Sequence, residues 1–226
     1  MIDSVIYMIN KNYYLDIELP LLYIHILAGF ISLVVAYTIL FLNKGDKRHK
    51  KLGMIYVYGM TTIFLTAIPL SLLGEFNPFL FIIAIFSFYL AFAGYRQGRD
   101  REGARERIDN VLAIFIQLTC VVFYSFAIGL FLSGNSMWRT TLLFGTVALG
   151  FGINDYFRLK KTEKPNYYDR TSTHLILMLS GTIATTTAFI VTIELFSAEW
   201  VNWTFPTFAL VPVIIYFSLR EKAKKT

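Results

Sequence analysis

Seven long apolar blocks restrict the fold of this sequence more than any other feature. They cover approximately residues 20–42, 53–73, 78–96, 110–132, 138–157, 173–196 and 204–221. Most have the roughly 17–25 residues with which a helix crosses about 30 Å of hydrocarbon. Backbone groups in lipid must find hydrogen-bond partners inside their own segment, so we expect helices. The sequence therefore predicts an all-α fold, a polytopic bundle of seven transmembrane helices that forms a single domain over residues 1–226.

The composition is that of a membrane protein. Hydrophobic residues make up 56% of the 226 residues, and charged residues make up 16%, against about 25% in an ordinary soluble domain. The single cysteine, Cys120, lies inside an apolar block, which excludes a disulfide framework and a CxxC metal or redox motif. The first residues lack the basic region and apolar core of a signal peptide, so we expect them to belong to the mature protein.

Basic residues are concentrated in every second connection between the apolar blocks, and this distribution predicts the topology. Of the 21 lysines and arginines, all but Lys11 and Arg139 fall in every second connection and in the C-terminal tail. The positive-inside rule places those connections and the C-terminus in the cytoplasm, with the N-terminus outside. The net charge of +6 is then a signal of topology and of attraction to anionic lipid, so we expect the bilayer, not a nucleic acid, as a partner.

Two ionisable residues are predicted near the outer boundary of the membrane. His25 lies near the start of the first span, and Glu194 lies near the end of the sixth. Ionisable groups at membrane depth are costly and are therefore candidates for a site. The two could pair and relay a proton or hold a cation. In the alternative reading, Glu194 reaches the interface and His25 bonds a backbone carbonyl.

A second group of ionisable residues is predicted at the inner boundary. It consists of His49, Asp109, Asp155 and His174. We expect His174 to open helix six, Asp109 to open helix four, and His49 to lie in a basic loop. Imidazoles and carboxylates are suitable ligands for zinc or another divalent cation, and His49 with His174 could hold one haem. No diagnostic spacing is present, so interfacial salt bridges and helix caps are the alternative.

Helix four carries a polar stripe, and helices five and six carry small residues. Asn110, Gln117 and Tyr124 recur at spacings of seven, with Gln117 near mid-membrane. Gln117 is read either as an interhelical hydrogen-bonding group or as part of a pocket wall. Gln117 and Tyr124 are both candidates for a ligand site or a proton relay. Small residues at spacings of three and four predict faces for close helix packing. In helix five they are Gly145, Ala148 and Gly152, and in helix six they are Ser180, Ala184 and Ala188, with Gly181 and Thr185 alongside.

Several enzyme and receptor classes are not indicated. The last span contains no lysine, which excludes a retinal Schiff base of the rhodopsin kind there. The motifs HExxH, GxSxG and the P-loop are absent from the sequence. Whether the chain is an enzyme therefore stays open at this point.

The first half of the chain resembles a family of bacterial predicted polytopic membrane proteins of unknown function. The resemblance depends on His25 and Gly29 in the first helix, and on His49 and Gly53 in a basic HxxxG segment before the second. A later segment, which contains His174, is similar to one found in some members. The resemblance implies a multi-pass protein of the bacterial inner membrane in which the three histidines are the points of interest, without a known activity.

Three functional classes follow from the sequence. The first is a membrane protein that binds a small ligand or cation in a polar pocket between helices. The second is a haem- or metal-binding redox protein or metalloenzyme that uses His49 and His174. The third is a structural or assembly subunit whose polar residues serve packing alone. Neither the cofactor nor any protein partner is identified by the sequence.

Overall fold

A computed structural model describes residues 2–73, 78–99, 107–160 and 167–223. These residues form seven helices and no strand, which confirms the predicted all-α class. The helices are α1 (Ile2–Phe41), α2 (Lys47–Leu72), α3 (Pro78–Arg99), α4 (Arg107–Leu132), α5 (Trp138–Lys160), α6 (Tyr167–Ile193) and α7 (Glu199–Ala223). Six of them are long and apolar enough to cross a membrane. The exception is α5, in which Asn154 and Asp155 interrupt the apolar stretch before its basic end.

Helix α1 begins much earlier than the first apolar block. It runs from Ile2 without a break, and its part from Glu18 to Phe41 is the candidate span. No glycine or proline precedes Pro20, so nothing in the sequence ends the helix before the apolar part begins. At its other end, the Lys44 ammonium donates to the carbonyls of Ile39 and Leu40 at 2.8 and 3.0 Å. Burial lowers the pKa of Lys44.

Two expectations about helix starts are wrong. Asp46 is the N-cap of α2 and accepts a hydrogen bond from the His49 amide at 2.6 Å, so His49 lies in the first turn of a helix and not in a loop. Helix α6 begins at Tyr167, which places His174 about two turns inside it. The Thr173 hydroxyl donates to the Asp169 carbonyl at 2.8 Å. In both cases polar residues next to the apolar block continue the helix beyond the hydrophobic boundary.

The chain divides into two compact units, residues 1–84 and residues 85–226. The boundary falls within α3. The prediction of one transmembrane domain stays a prediction, and each unit is described by itself below.

In the first unit, α1 and α2 pack against each other in antiparallel fashion. Ser32 is fully buried, and a Cβ atom added to Gly59 would collide with its hydroxyl oxygen. The absence of a side chain at Gly59 therefore sets how closely the two helices approach. Tyr56 and Met60 of α2 are also buried, on the same side of the helix as Gly59.

In the second unit, α4 packs antiparallel to α5, and α6 packs against α7. The predicted small face of α5 is confirmed, because Gly145, Ala148 and Gly152 are all buried. A Cβ atom added to Gly145 would lie 3.1 Å from Phe123 of α4. Of the small residues predicted for packing in α6, Gly181 and Thr185 are buried, Ser180 and Ala184 are half-buried, and Ala188 is exposed. The buried part of the predicted small face of α6 is therefore the row that contains Gly181 and Thr185.

Candidate functional site

Residues 85–99 of α3 lie at the centre of the second unit and connect the predicted inner residues. Tyr89, Leu90 and Ala91 are almost completely buried. The aromatic ring of Phe86 contacts Phe123 of α4 edge to face, with 6.0 Å between the centroids. Polar groups of the same helix segment contact Asp109, Asp155 and His174, each on a different neighbouring helix. Helix α3 is therefore the element that positions this site.

Asp155 of α5 is held by a buried hydrogen bond and an ion pair. Asp155 is only 2% exposed to solvent. The Tyr89 hydroxyl donates to Oδ2 of Asp155 at 2.7 Å, and Nη2 of Arg158 lies 3.2 Å from Oδ1. Both carboxylate oxygens thus have a donor, which compensates for the loss of water around a buried charge. Arg158 is one helical turn away on the same face of α5, so the ion pair needs no other element.

Asp109, in the first turn of α4 as predicted, forms a two-point ion pair. Nε of Arg96 donates to Oδ1 at 3.1 Å, and Nη2 donates to Oδ2 at 3.1 Å. This parallel arrangement is the geometry in which a guanidinium binds a carboxylate most specifically. Asp109 is 6% exposed, so the pair joins α3 to α4 in a largely water-free place. Each of the two predicted inner carboxylates is therefore engaged with an arginine.

His174 is positioned by two glycines of α3. Its Nδ1 donates to the Gly94 carbonyl at 2.7 Å. A Cβ atom added to Gly98 would lie 2.6 Å from Nδ1 and 2.7 Å from Cε1 of the same ring. The imidazole thus occupies the space that a side chain at Gly98 would need. Since Nδ1 carries the hydrogen, Nε2 is the nitrogen with the lone pair in the neutral ring, which is the tautomer of a typical histidine ligand.

These residues offer limited means to hold a metal ion. Within the described ranges, no group of three or more His, Cys, Asp or Glu side chains is close enough together to bind one. A cation at either aspartate would compete with a guanidinium. His49 and His174 belong to different compact units, so the haem or metal site that uses both stays a prediction. In the second unit, Asp109 and Asp155 form two ion pairs with arginines, and His174 is an oriented imidazole.

An open groove lies between α5 and α6. It has a volume of about 350 Å³, at the lower end of the roughly 300–1,000 Å³ of small-molecule sites. Its walls are mostly apolar, and Asn154 and Thr173 are its polar groups. The lining residues are Val147, Gly150, Phe151, Asn154, Thr173, Ile176 and Leu177. Asn154 is the neighbour of Asp155, and Thr173 is the neighbour of His174, so the polar groups of the groove adjoin the inner group in sequence.

The two predicted outer residues have separate structural roles. Nδ1 of His25 lies 2.9 Å from the Thr66 hydroxyl. The same hydroxyl lies 2.7 Å from the Thr62 carbonyl, and the imidazole tautomer determines which of the two side chains donates to the other. The imidazole therefore joins α1 to α2. Glu194 lies in the other unit, so its pairing with His25 stays a prediction.

Glu194 is exposed and has a positive φ of 49° directly after α6. Its amide donates to the Val191 carbonyl at 3.3 Å, and the Leu195 amide donates to the Ile190 carbonyl at 3.3 Å. This is a Schellman motif, in which glycine is the usual residue at the position of Glu194. The buried Asn202 closes the next turn through two hydrogen bonds to the backbone of Phe196. The Phe196 amide donates to Oδ1 of Asn202, and Nδ2 of Asn202 donates to the Phe196 carbonyl, at 2.8 Å each.

The predicted polar stripe of α4 lies beside α5. The Tyr124 hydroxyl is 3.3 Å from the Thr146 hydroxyl of α5, which is an interhelical contact. A Cβ atom added to Gly152 would be 3.6 Å from Cγ of Gln117. Gln117 and Asn110 are exposed on the surface of the chain. Neither Gln117 nor Tyr124 lines the groove between α5 and α6.

Sequence reasoning missed the residues of α3. Tyr89 and Arg96 were not among the candidates, although they are the partners of Asp155 and Asp109. The available signal was the pair Gly94 and Gly98, a small-xxx-small spacing in the same helix. This spacing indicates close approach of another helix, but it does not say which helix or which side chain arrives.

Comparisons of the chain with protein families, curated proteins and solved structures find no match.

Proposed function

We propose that this protein is a multi-pass membrane protein that binds a small molecule in the groove between α5 and α6. The observation that carries the proposal is the groove itself, which combines apolar walls with the two polar side chains of Asn154 and Thr173. Ligand sites in proteins typically have such a lining, in which a few polar groups orient the ligand. In contrast, Asp109 and Asp155 are already paired with arginines.

The proposal includes α5 as a seventh span. Helix α4 is apolar and long enough to cross a membrane, and α5 packs along it from Gly145 to Gly152. Two helices in contact over this length occupy the same layer. The polar residues Asn154 and Asp155 are then accommodated because one lines the groove and the other is buried against Tyr89.

The proposed orientation has the N-terminus outside and the C-terminus in the cytoplasm of a bacterium, with the protein in the inner membrane. The distribution of lysine and arginine supports it, since Lys160 and Arg170, near the two helix ends next to the groove, then face the cytoplasm. The polar end of the groove would open towards the cytoplasmic leaflet.

A variant that fills the groove tests the proposal. Gly150 lines the groove, and a Cβ atom added to it has nothing within 4 Å, so Gly150→Phe places a large side chain at the groove from an open position. Gly129→Phe is the matched control, because Gly129 is also an open, exposed helical glycine. We expect native mass spectrometry of the detergent-released wild type and of the control to show a bound small molecule that Gly150→Phe lacks.

Two outcomes would contradict this proposal. If the wild type, Gly150→Phe and Gly129→Phe all carry the same bound species, or none of them carries any, the groove is not a binding site and a structural subunit becomes the better reading. A Soret band near 400 nm, or a stoichiometric metal, that disappears in His174→Ala would instead support the haem- or metal-binding class.

A further inference from the structure

We infer that the ligand of the groove is an anionic phospholipid, with its phosphate at the end near Asn154 and Thr173 and an acyl chain along the apolar walls. This inference rests on the function proposed above and names its ligand class. Val147, Phe151 and Ile176 line the apolar part. An apolar groove that is partly open on the side of a membrane helix pair is accessible to the acyl chains of the bilayer.

Positive charge lies next to the polar end of the groove. Arg158 is four residues from Asn154 on α5, and Arg170 is three residues from Thr173 on α6. Residues three and four apart share a helical face, so both arginines lie on the helical faces that line the groove, beyond its polar end. Basic pockets between membrane helices are a known means of binding anionic headgroups.

Arg170 has unused hydrogen-bonding capacity within the part of the chain that the structure describes. Its Nε is buried and has no hydrogen-bond partner there. A buried N–H without a partner is unfavourable, and a phosphate oxygen would supply the acceptor. Arg158 keeps its ion pair with Asp155 and adds charge. The side-chain amide of Asn154 is a neutral donor able to hydrogen-bond the ester or phosphate oxygens of the lipid, whereas the Thr173 hydroxyl already donates to the Asp169 carbonyl.

The test compares two lipids that differ only in the headgroup. Dioleoyl phosphatidylglycerol and dioleoyl phosphatidylcholine are titrated separately into the purified full chain, and bound lipid is counted by native mass spectrometry. We expect tighter binding of phosphatidylglycerol, and about fivefold weaker binding of it to Arg170→Gln, as expected for one basic residue near a lipid headgroup. Arg170→Lys should retain most of the preference, which also shows that the fold tolerates a change at this position.

Lys160→Gln is the matched control. Lys160 lies at the same end of α5, but its ammonium is 4.5 Å from the centroid of the Tyr156 ring, on a different helical face from Asn154 and Arg158. We expect phosphatidylglycerol binding by this variant to equal that of the wild type.

The lipid inference is overturned if the wild type binds both lipids equally, or if Arg170→Gln and Lys160→Gln behave alike. Displacement of phosphatidylglycerol by inorganic phosphate alone would also overturn it, since a free phosphate would then be the ligand. If Gly150→Phe still removes another bound molecule in these cases, the proposed function stands without the lipid. If Gly150→Phe and Gly129→Phe are indistinguishable with every ligand, both proposals fail.

Discussion

Substitution of Gly98 by alanine should disrupt the contact between α3 and α6 through one side chain, His174. The three atoms nearest to an added Cβ are all in the imidazole, at 2.6, 2.7 and 3.2 Å. These distances are well below ordinary van der Waals contact, so the ring must move and its hydrogen bond to the Gly94 carbonyl is lost. Overpacking a core typically costs about 1–3 kcal/mol, and the hydrogen bond contributes about 1 kcal/mol. We therefore expect the free energy of unfolding to fall by about 2–4 kcal/mol.

The assay is a double-mutant cycle, measured by reversible unfolding of the detergent-solubilised protein with tryptophan fluorescence as the signal. Gly98→Ala is made in the wild type and in His174→Ala, where the clash cannot occur. We expect the cost of the substitution to fall below about 1 kcal/mol in the second background, because residues in direct contact are energetically coupled. Gly129→Ala, at a position with open space around the added Cβ, should leave the stability unchanged or slightly higher.

The reasoning is refuted if Gly98→Ala costs the same in both backgrounds. A cost equal to that of Gly129→Ala would refute it as well. In the first case the loss would come from the backbone of α3, and in the second the two helices would not be as close as the distances indicate.

Three further predictions concern stability in the same unfolding assay. Ser32→Ala should leave stability unchanged or raise it, because the Ser32 hydroxyl is buried without a hydrogen-bond partner among the described residues. The same substitution should reduce the cost of Gly59→Ala, because the added Cβ meets that hydroxyl. A cost of more than about 1 kcal/mol for Ser32→Ala alone would contradict this prediction. Glu194→Gly should stabilise by about 1 kcal/mol, since φ is 49° there, and a destabilised variant would show that the Glu194 side chain makes a contact of its own. Tyr89→Phe should cost about 1.5–3 kcal/mol, because it removes a donor from a buried carboxylate; an unchanged stability would mean that the remaining ion pair is sufficient.

Expectations based on periodicity and length were the most reliable part of the sequence analysis. The apolar blocks correspond to the seven helices, and the small face of α5 is buried as its spacing predicts. The errors lie at the helix ends. Hydropathy stops where charge begins, but a helix continues until its backbone is capped, as by Asp46 before α2. For this reason His49 was expected in a loop and lies in the first turn of α2, and His174 was expected to open helix six and lies about two turns inside it.

The composition of the site was only partly accessible from the sequence. Asp109, Asp155 and His174 were identified as unusual because ionisable residues are rare in apolar blocks. Their partners could not be found in this way, because Tyr89 is an ordinary aromatic residue in an apolar helix and Arg96 reads as part of the basic end of that helix. Ion-pair partners on different helices are separated in the chain by distances that no local pattern records.

The sequence by itself determined that this chain forms long apolar helices, because lipid leaves the backbone no other way to satisfy its hydrogen bonds. It also determined which faces of these helices carry small residues. The tertiary structure decided which helices meet at those faces. It brought Asp109, Asp155 and His174 to α3, and it left α5 and α6 far enough apart to form a groove. Helix pairing depends on the fit of side chains from distant parts of the chain, whereas helix formation depends on neighbours within a few residues.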